Sequence, residues 1–496
     1  MSSGSDATAV PVAVPSGMAA ATAVSERAVS PMPKPALLGE QIEVPLVTGG
    51  VRRYTNLDYA ASTPPLAEVV SALQQFLPYY SSIHRGTGFK SQIATAAYEG
   101  ARSAVHAFFG ARPDDVVVFT RNTTESINLL AGSLPDGTSI VTFATEHHAN
   151  LLPWRRDRLH VTSLAAPRSA EAAVAALDRH LDRAGADLVA VTGASNVTGE
   201  VWPVRELAHV AHAHGARILL DAAQLAPHFP VSVADFGVDY LAASGHKMYA
   251  PFGVGVLIGR PDWLERSAPF LRGGGAVEFV TASDVLWTTL PDRQEAGSPN
   301  VTGAIALGAA VQLLSRYGMH RLAAEELALG GYARERLRRI PDVELLQLWG
   351  DDAERIGVVT FNVRGYEHSK LAVILSAEFG IGVRHGCFCA HPLMVDLLHV
   401  DPAEAELVRC RLMAGDKRRV PGAVRMSIGL GTTRADVDRL MDALNQIIVE
   451  GPRWTYDVSP QTGECAPKPD PRVWPELTVP LSRPELWGRA DVSSSQ

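Results

Sequence analysis

The chain of 496 residues holds only four cysteines, at positions 387, 389, 410 and 465. So few thiols cannot staple a chain of this length, and a reducing cytoplasm is the expected setting. No apolar run reaches the roughly 20 residues that cross a bilayer, so no membrane partner is expected. The first residues lack a basic stretch followed by an apolar core, so no secretory signal is expected. Basic clusters are missing too, and the formal net charge is -8. That balance argues against nucleic acid as the main partner. There is no internal repeat. Helical or strand periodicity is absent from both ends. Residues 1–45, rich in Ala, Ser, Pro and Val, read as a disordered leader. Residues 451–496 carry Pro467, Pro469, Pro471, Pro475, Pro480 and Pro484 and read as an extended, proline-rich tail. Neither end shows a site, and both are expected to be dispensable.

Between the ends, strand and helix patterns alternate, which predicts an α/β fold with a mostly parallel sheet covered on both faces. Residues 46–310 read as a large domain and 311–450 as a smaller C-terminal α/β domain. Strands are expected at 116–119, 140–143, 188–192, 217–220 and 238–243, with a glycine-rich return strand in 251–259. Helices are expected at 62–77, from 126, and at 204–214, stopping at Gly215. A long apolar helix at 304–314 leads into the second domain. There, strands at 357–362 and 381–384 flank a helix at 369–379. Thr433 opens a last helix, with Asp436 in capping-box position.

In an open parallel sheet, ligands bind beyond the C-terminal strand ends. Polar residues gather at five such ends: Thr123 and Thr124, His147, Asn196, Asp221 with Gln224, and Ser244-Gly-His-Lys247. A desolvated lysine beside a cation such as His246 has its pKa lowered, which makes it a nucleophile toward carbonyls. Each cluster has a task if the ligand is pyridoxal phosphate. Lys247 would carry the cofactor, and Asp221 would face its ring nitrogen. Thr123 and Thr124, opening a helix, would seat the phosphate, with Ser244 and His246 adding contacts. His147 would stack on the ring, and Gln224 and Asn196 would bond its phenolic oxygen. Taken singly, Lys247 also reads as a surface lysine, His147 as a structural histidine and Asp221 as an N-cap. Their coincidence at consecutive strand ends favours the shared site.

Several stretches follow one another in a recognisable order. They are Asn56-Leu-Asp-Tyr-Ala-Ala-Ser62, His84-Arg-Gly86, Thr123-Thr-Glu125, Glu146-His-His-Ala-Asn150, Ser195-Asn196, Asp221-Ala-Ala-Gln224, Ser244-Gly-His-Lys247 and Glu295-Ala-Gly-Ser-Pro-Asn300. Together they resemble the class V aminotransferase family of fold-type I pyridoxal-phosphate enzymes, nearest to its cysteine desulfurase and selenocysteine lyase branch. The resemblance runs from about residue 55 to 451. It implies a seven-stranded type of sheet and the cofactor roles given above for Lys247, His147, Asp221 and Gln224. It also implies Thr124, Ser244 and His246 at the phosphate. A homodimer is implied as well, in which Ser298 would reach the partner's phosphate.

The stretch Val383-Arg-His-Gly-Cys-Phe-Cys-Ala-His-Pro392 resembles the desulfurase pattern Arg-x-Gly-His-His-Cys-Ala-x-Pro. The match implies Cys389 as the persulfide-forming nucleophile and Arg384 as a ligand of the substrate carboxylate. Arg425 matches the family's second carboxylate-binding arginine, and Asn196 is a further candidate substrate contact. An α-amino acid needs a bidentate cation for its carboxylate and a thiolate to take its sulfur. The pattern departs in two places. Cys387-Phe388 replaces a pair of histidines, a feature also found in molybdenum-cofactor sulfurases, and an insertion spans roughly 399–420. On an extended strand His385, Cys387, Cys389 and His391 would face one way, which leaves open a metal site, a reversible disulfide or a buried cysteine pair. No metal is expected, because four ligands along one strand close a tetrahedron poorly. The expected activity is removal of sulfur or selenium from cysteine or selenocysteine, leaving alanine and a Cys389 persulfide for a sulfur-acceptor protein. An aminotransferase, epimerase or lyase acting on another amino acid is the alternative, and a sulfur-relay or scaffold protein is a third reading.

Overall fold

The computed structural model describes residues 32–418 and 420–475. From Lys34 onward these belong to one compact unit. Its centre is a sheet of β1 (Val116–Thr120), β2 (Ser139–Phe143), β3 (His160–Leu164), β4 (Leu188–Thr192), β5 (Arg217–Asp221), β6 (Tyr240–Ser244) and β7 (Gly255–Gly259). The order is β1-β7-β6-β5-β4-β2-β3. Pairs from β6 to β3 are parallel, whereas β7 runs antiparallel to both β6 and β1. This is the mostly parallel, seven-stranded α/β arrangement that the sequence implies. Every residue of β4, β6 and β7 is buried, as strands sandwiched between two helical layers must be.

The helices of this part are α1 (Ala67–Phe76), α2 (Phe89–Phe108), α3 (Thr123–Ser133), α4 (Ala170–Ala184), α5 (Val204–Ala213) and α6 (Val301–Tyr317). Val118, Ile127, Leu130, Trp154, Leu188, Leu219 and Tyr240 join α3 and the sheet in one core. Each such side chain contributes roughly 1.5–3 kcal/mol by leaving water. α5 stops where the sequence places its end, with Gly215 at φ +78°.

A second sheet holds β8 (Val343–Leu346), β9 (Val358–Val363), β10 (Arg384–Gly386) and β11 (Ala423–Ser427), ordered β8-β9-β11-β10 and antiparallel throughout. α7 (Met319–Arg338), α8 (His368–Phe379) and α11 (Arg434–Glu450) pack on it through Phe361, Leu371, Leu375, Val424, Leu440 and Leu444. The capping box of α11 is formed: Thr433 accepts from Asp436 N–H, and Asp436 from Thr433 N–H. A cap of this kind is worth about 1 kcal/mol. Between β10 and β11 lie α9 (His391–Leu397) and α10 (Pro402–Met413), the latter built from the inserted residues.

Three expectations need correction. The strand expected at 381–384 is two pieces: Ile381–Gly382 pairs with Thr55–Asn56, and Arg384 starts β10. The expected leader is ordered from Leu37, which is buried and bridges Leu66, and Glu43–Pro45 pairs with Val51–Arg53. Residues 1–31 of that leader lie outside the described residues. Residues 451–475 are not a loose tail. The hairpin β12 (Tyr456–Val458) and β13 (Cys465–Pro467) packs on α8. There buried Glu378 accepts from Arg453 N–H, Trp454 N–H and Tyr456 O–H at 2.8–3.2 Å. Pro467 ends β13 without breaking this contact. Pro480 and Pro484 lie outside the described residues. Among the described residues no helix is long and apolar enough to cross a membrane.

Candidate active site

The C-terminal ends of β6 and β5 bring Lys247 and Asp221 together. Lys247 closes a single 3-10 turn, Gly245–Lys247, directly after β6. Burial lowers its pKa to about 8; the charge of Asp221 works the other way, and Arg425 adds to the lowering. Asp221, the last residue of β5, is buried and accepts one hydrogen bond, from Ala223 N–H at 3.0 Å. Burial raises its pKa, against that bond and the Lys247 charge. His246 is not the cation the sequence suggested. Burial, then the Lys247 charge, pushes it down to about 4, so it is neutral near pH 7 and Arg425 is the neighbouring cation.

Beside them is a cradle of hydroxyls at the start of α3. Asn122 caps α3 by accepting from Glu125 N–H. Thr123 N–H donates to Ser244 Oγ at 2.8 Å, and the two hydroxyls lie 2.7 Å apart. Thr124 is exposed one residue further into α3. Gly255 makes this corner possible: a Cβ there would sit 2.5 Å from Asn122 Cα, so β7 could not approach the start of α3. Ser298 is exposed and makes no hydrogen bond among the described residues.

His147 follows β2. Its Nδ1 accepts from Ala149 N–H at 3.0 Å, so the ring proton of the neutral form sits on Nε2. Burial first, then Lys247, holds its pKa at about 3. Behind it Glu146 is fully buried between Asn150 Nδ2 (2.7 Å) and Thr192 N–H (3.1 Å), and burial pushes its pKa up to about 8. Gln224 Nε2 donates to Ala60 O at 2.8 Å, which leaves its buried Oε1 without a partner.

The cysteine stretch reaches this site from the other sheet. β10 ends at Gly386, and Cys387-Phe388-Cys389-Ala390 forms a tight turn closed by Ala390 N–H to Cys387 O at 3.0 Å. Phe388 and Cys389 have φ of 53° and 54°. Two consecutive left-handed residues end the extended run, so the four alternating His and Cys side chains do not share one face. No cluster able to hold a metal occurs among the described residues. Asn196 Nδ2 donates to Phe388 O at 2.7 Å and His148 N–H to Cys389 O at 2.8 Å. These bonds pin the turn over the strand ends, where charge on Cys389 acts on both Lys247 and Arg425.

Arg384 and Arg425 are register partners on β10 and β11, and both reach Asp58. Arg425 is buried, with Nη1 on Asn196 O at 2.7 Å, its guanidinium 5.0 Å from the Phe388 ring centroid, and Nε without a partner. Burial lowers its pKa to about 10, against the charge of Asp58. Arg384 is largely exposed, 4.0 Å from Asp58. Asp58, Glu146 and Phe388 have no role in the sequence reading, although all three lie within stretches it singled out.

The family model for aminotransferase class-V matches residues 55–440. The chain belongs to the class-V aminotransferase family. A probable cysteine desulfurase of Halalkalibacterium halodurans is 37% identical over 348 residues, 68% of this chain and 84% of the relative. A cysteine desulfurase of Haloferax volcanii is 36% identical over 78% of this chain and 88% of its own. Among solved structures, the apo cysteine desulfurase of Thermococcus onnurineus NA1 superposes with a TM-score of 0.70 at 33% identity, covering 80% of this chain and 94% of that one.

Class-V aminotransferases use pyridoxal phosphate, and this chain's residues fit it. Asp221 is a buried carboxyl with one hydrogen bond and no neutralising donor of its own beyond Lys247. A protonated ring nitrogen meets that need. The start of α3 offers a phosphate the Thr124 N–H and the Thr123 and Ser244 hydroxyls. Gln224 Oε1 and Arg425 Nε are buried polar atoms awaiting partners.

Proposed function

We propose that this chain is a pyridoxal-phosphate-dependent cysteine desulfurase-like enzyme, taking sulfur or selenium from L-cysteine or selenocysteine and leaving alanine. What supports the reading is the pinned turn that holds Cys389 above the Lys247 pocket, together with the names borne by the relatives. When bound, the cofactor supplies an electron sink for charge at the substrate α-carbon. Thr123, Thr124, Ser244 and His246 hold its phosphate, Asp221 its ring nitrogen, His147 its face, and Gln224 and Asn196 its phenolic oxygen. Arg425 takes the substrate carboxylate through Nε and Nη2, with Arg384 and Asn196 beside it. Lys247, with a pKa of about 8, has a usable share of free amine near neutral pH and accepts the α-proton at Nζ. Cys389 Sγ, as thiolate, then bonds to the substrate sulfur while the substrate Cβ–S bond breaks; the electron pair stays with the carbon fragment, which is protonated to alanine, and the sulfur stays on Cys389 as a persulfide.

The enzyme works as a homodimer in this proposal, and Ser298 serves the partner's phosphate. Phe89 (74% exposed), Phe252 (54%) and Phe279 (65%) are large exposed side chains that a second copy of the chain would cover. Arg85, in the loop before α2, donates to Val277 O of the Val277–Val280 strand, and Asn300 near Ser298 donates to Phe252 O. Cytoplasmic location and a sulfur-acceptor protein belong to the same proposal. Incubation of the purified enzyme with a panel of amino acids tests it. With a thiol reductant added to release the persulfide sulfur, equal amounts of alanine and sulfide from cysteine are expected; a keto acid or an inverted stereocentre without sulfide replaces this reading with the aminotransferase or epimerase one.

A further inference from the structure

Cys387 stands where sequence comparison offers no role, yet it has its own acid–base partner. Its Sγ lies 3.7 Å from His391 Nδ1, one turn on at the start of α9. His391 is fixed from the other side by His148: the rings stack at 5.0 Å and 7°, His391 N–H donates to His148 Nε2 at 3.3 Å, and the two ring nitrogens are 3.2 Å apart. Because a backbone N–H always donates, His148 Nε2 must carry a lone pair. When neutral His391 holds its proton on Nε2, Nδ1 is bare beside the thiol and can take its proton, and the imidazolium so formed donates from Nδ1 to His148 Nε2. The two histidines therefore form a seat for the Cys387 proton. Cys389 makes no such contact: its carbonyl holds the turn, and its charge is felt by Lys247 and Arg425. The loop thus carries two thiols with different partners, one facing the pocket's cations and one held by a histidine pair.

We propose that Cys387, with His391 as its base and His148 behind it, is a second sulfur-carrying residue that takes the outer sulfur from a Cys389 persulfide and passes it on. This rests on the desulfurase reading. The Cys387 thiol gives its proton to His391 Nδ1. Cys387 Sγ then bonds to the outer sulfur while the Cys389 Sγ–S bond breaks, and Cys389 leaves as a thiolate. One sulfur–sulfur bond replaces another, so no oxidant or reductant is consumed. The tight turn, closed between Cys387 O and Ala390 N–H, keeps the two cysteines on one short loop for the exchange.

The test loads the full-length holoenzyme with one equivalent of cysteine, traps persulfides with an alkylating reagent, and locates the extra sulfur by fragment-ion mass spectrometry. Alanine is counted in the same samples. Wild type is expected to carry sulfur on Cys387. In His391→Asn it stays on Cys389, and in Cys387→Ser it is held there while release to an added thiol slows at least about five-fold. Cys410→Ser, on the exposed α10, serves as a control and behaves as wild type. Sulfur found only on Cys389 in wild type, with unchanged release from Cys387→Ser, overturns the relay while alanine formation keeps the desulfurase reading. Absence of alanine in wild type overturns both.

Discussion

Lys247 shows how one side chain depends on what surrounds it. Its pKa of about 8 is a balance: burial and Arg425 push it down and Asp221 holds it up. Between pH 7 and 9 its uncharged fraction rises about tenfold. Chemical labelling of Lys247 in the cofactor-free protein is expected to speed up by that factor, with the midpoint near 8. Asp221→Asn, which removes the raising charge, moves the midpoint lower; a midpoint that stays put or rises shows that Asp221 does not reach the amine. Lys247→Ala loses all turnover, measured as alanine formed. Cys389→Ser keeps the cofactor's visible absorbance but loses sulfide release, because the thiol enters after the cofactor chemistry. Arg425→Ala should raise KM for cysteine at least tenfold, since a carboxylate leaving water loses a charge-assisted pair worth about 1.5–3 kcal/mol. An unchanged KM would move carboxylate binding to Arg384.

At the scale of elements, the hairpin β12–β13 and the residues leading into it share one carboxylate, Glu378, as acceptor. Glu378→Ala leaves the backbone N–H groups of Arg453 and Trp454 without their acceptor. A loss on the order of 2–3 kcal/mol is expected, read as a lower thermal midpoint and faster hydrogen exchange at 453–467. Equal exchange in both proteins would show that the hairpin is held elsewhere. The elements also differ in how far the sequence declares them. β4, β5 and α5 were legible almost to the residue, because unbroken apolar runs and a terminal glycine leave few other structures open. α10 was not: its apolar residues face no common side and none is buried, so the segment has no helical stripe to read. The Cys387–Ala390 turn was misread for another reason. Phe388 and Cys389 adopt left-handed backbone angles that neither residue type announces, and they hold them because Asn196 and His148 take their carbonyls.

For the whole molecule, we propose the division between the large and small domains at Gly318 rather than at residue 310. Residue 310 lies inside α6, whereas Gly318, at φ +97°, breaks the chain between α6 and α7. The exposed side chains of Phe89, Phe252 and Phe279 are expected to be covered by a second copy of the chain. Light scattering should give about 106 kDa, twice the 53.0 kDa chain, and a burial typical of obligate dimers, above 2,000 Å². Phe89→Asp with Phe279→Asp should yield monomers with little turnover; an active monomer would exclude a shared site.

The placement of β7 also sets a timetable for synthesis on the ribosome. β1 has β7 as its sole partner in the large sheet, and Thr120 pairs with Gly255, roughly 135 residues further along. While that stretch is still being translated, β1 waits with both edges bare, and the start of α3 has no Ser244 to meet. The intervening strands can assemble in the order they emerge, but the phosphate cradle closes only when the returning strand slots between its neighbours. A nascent chain truncated before residue 255 should therefore hold a partly formed sheet and an aggregation-prone first strand, the segment where a chaperone has most to do.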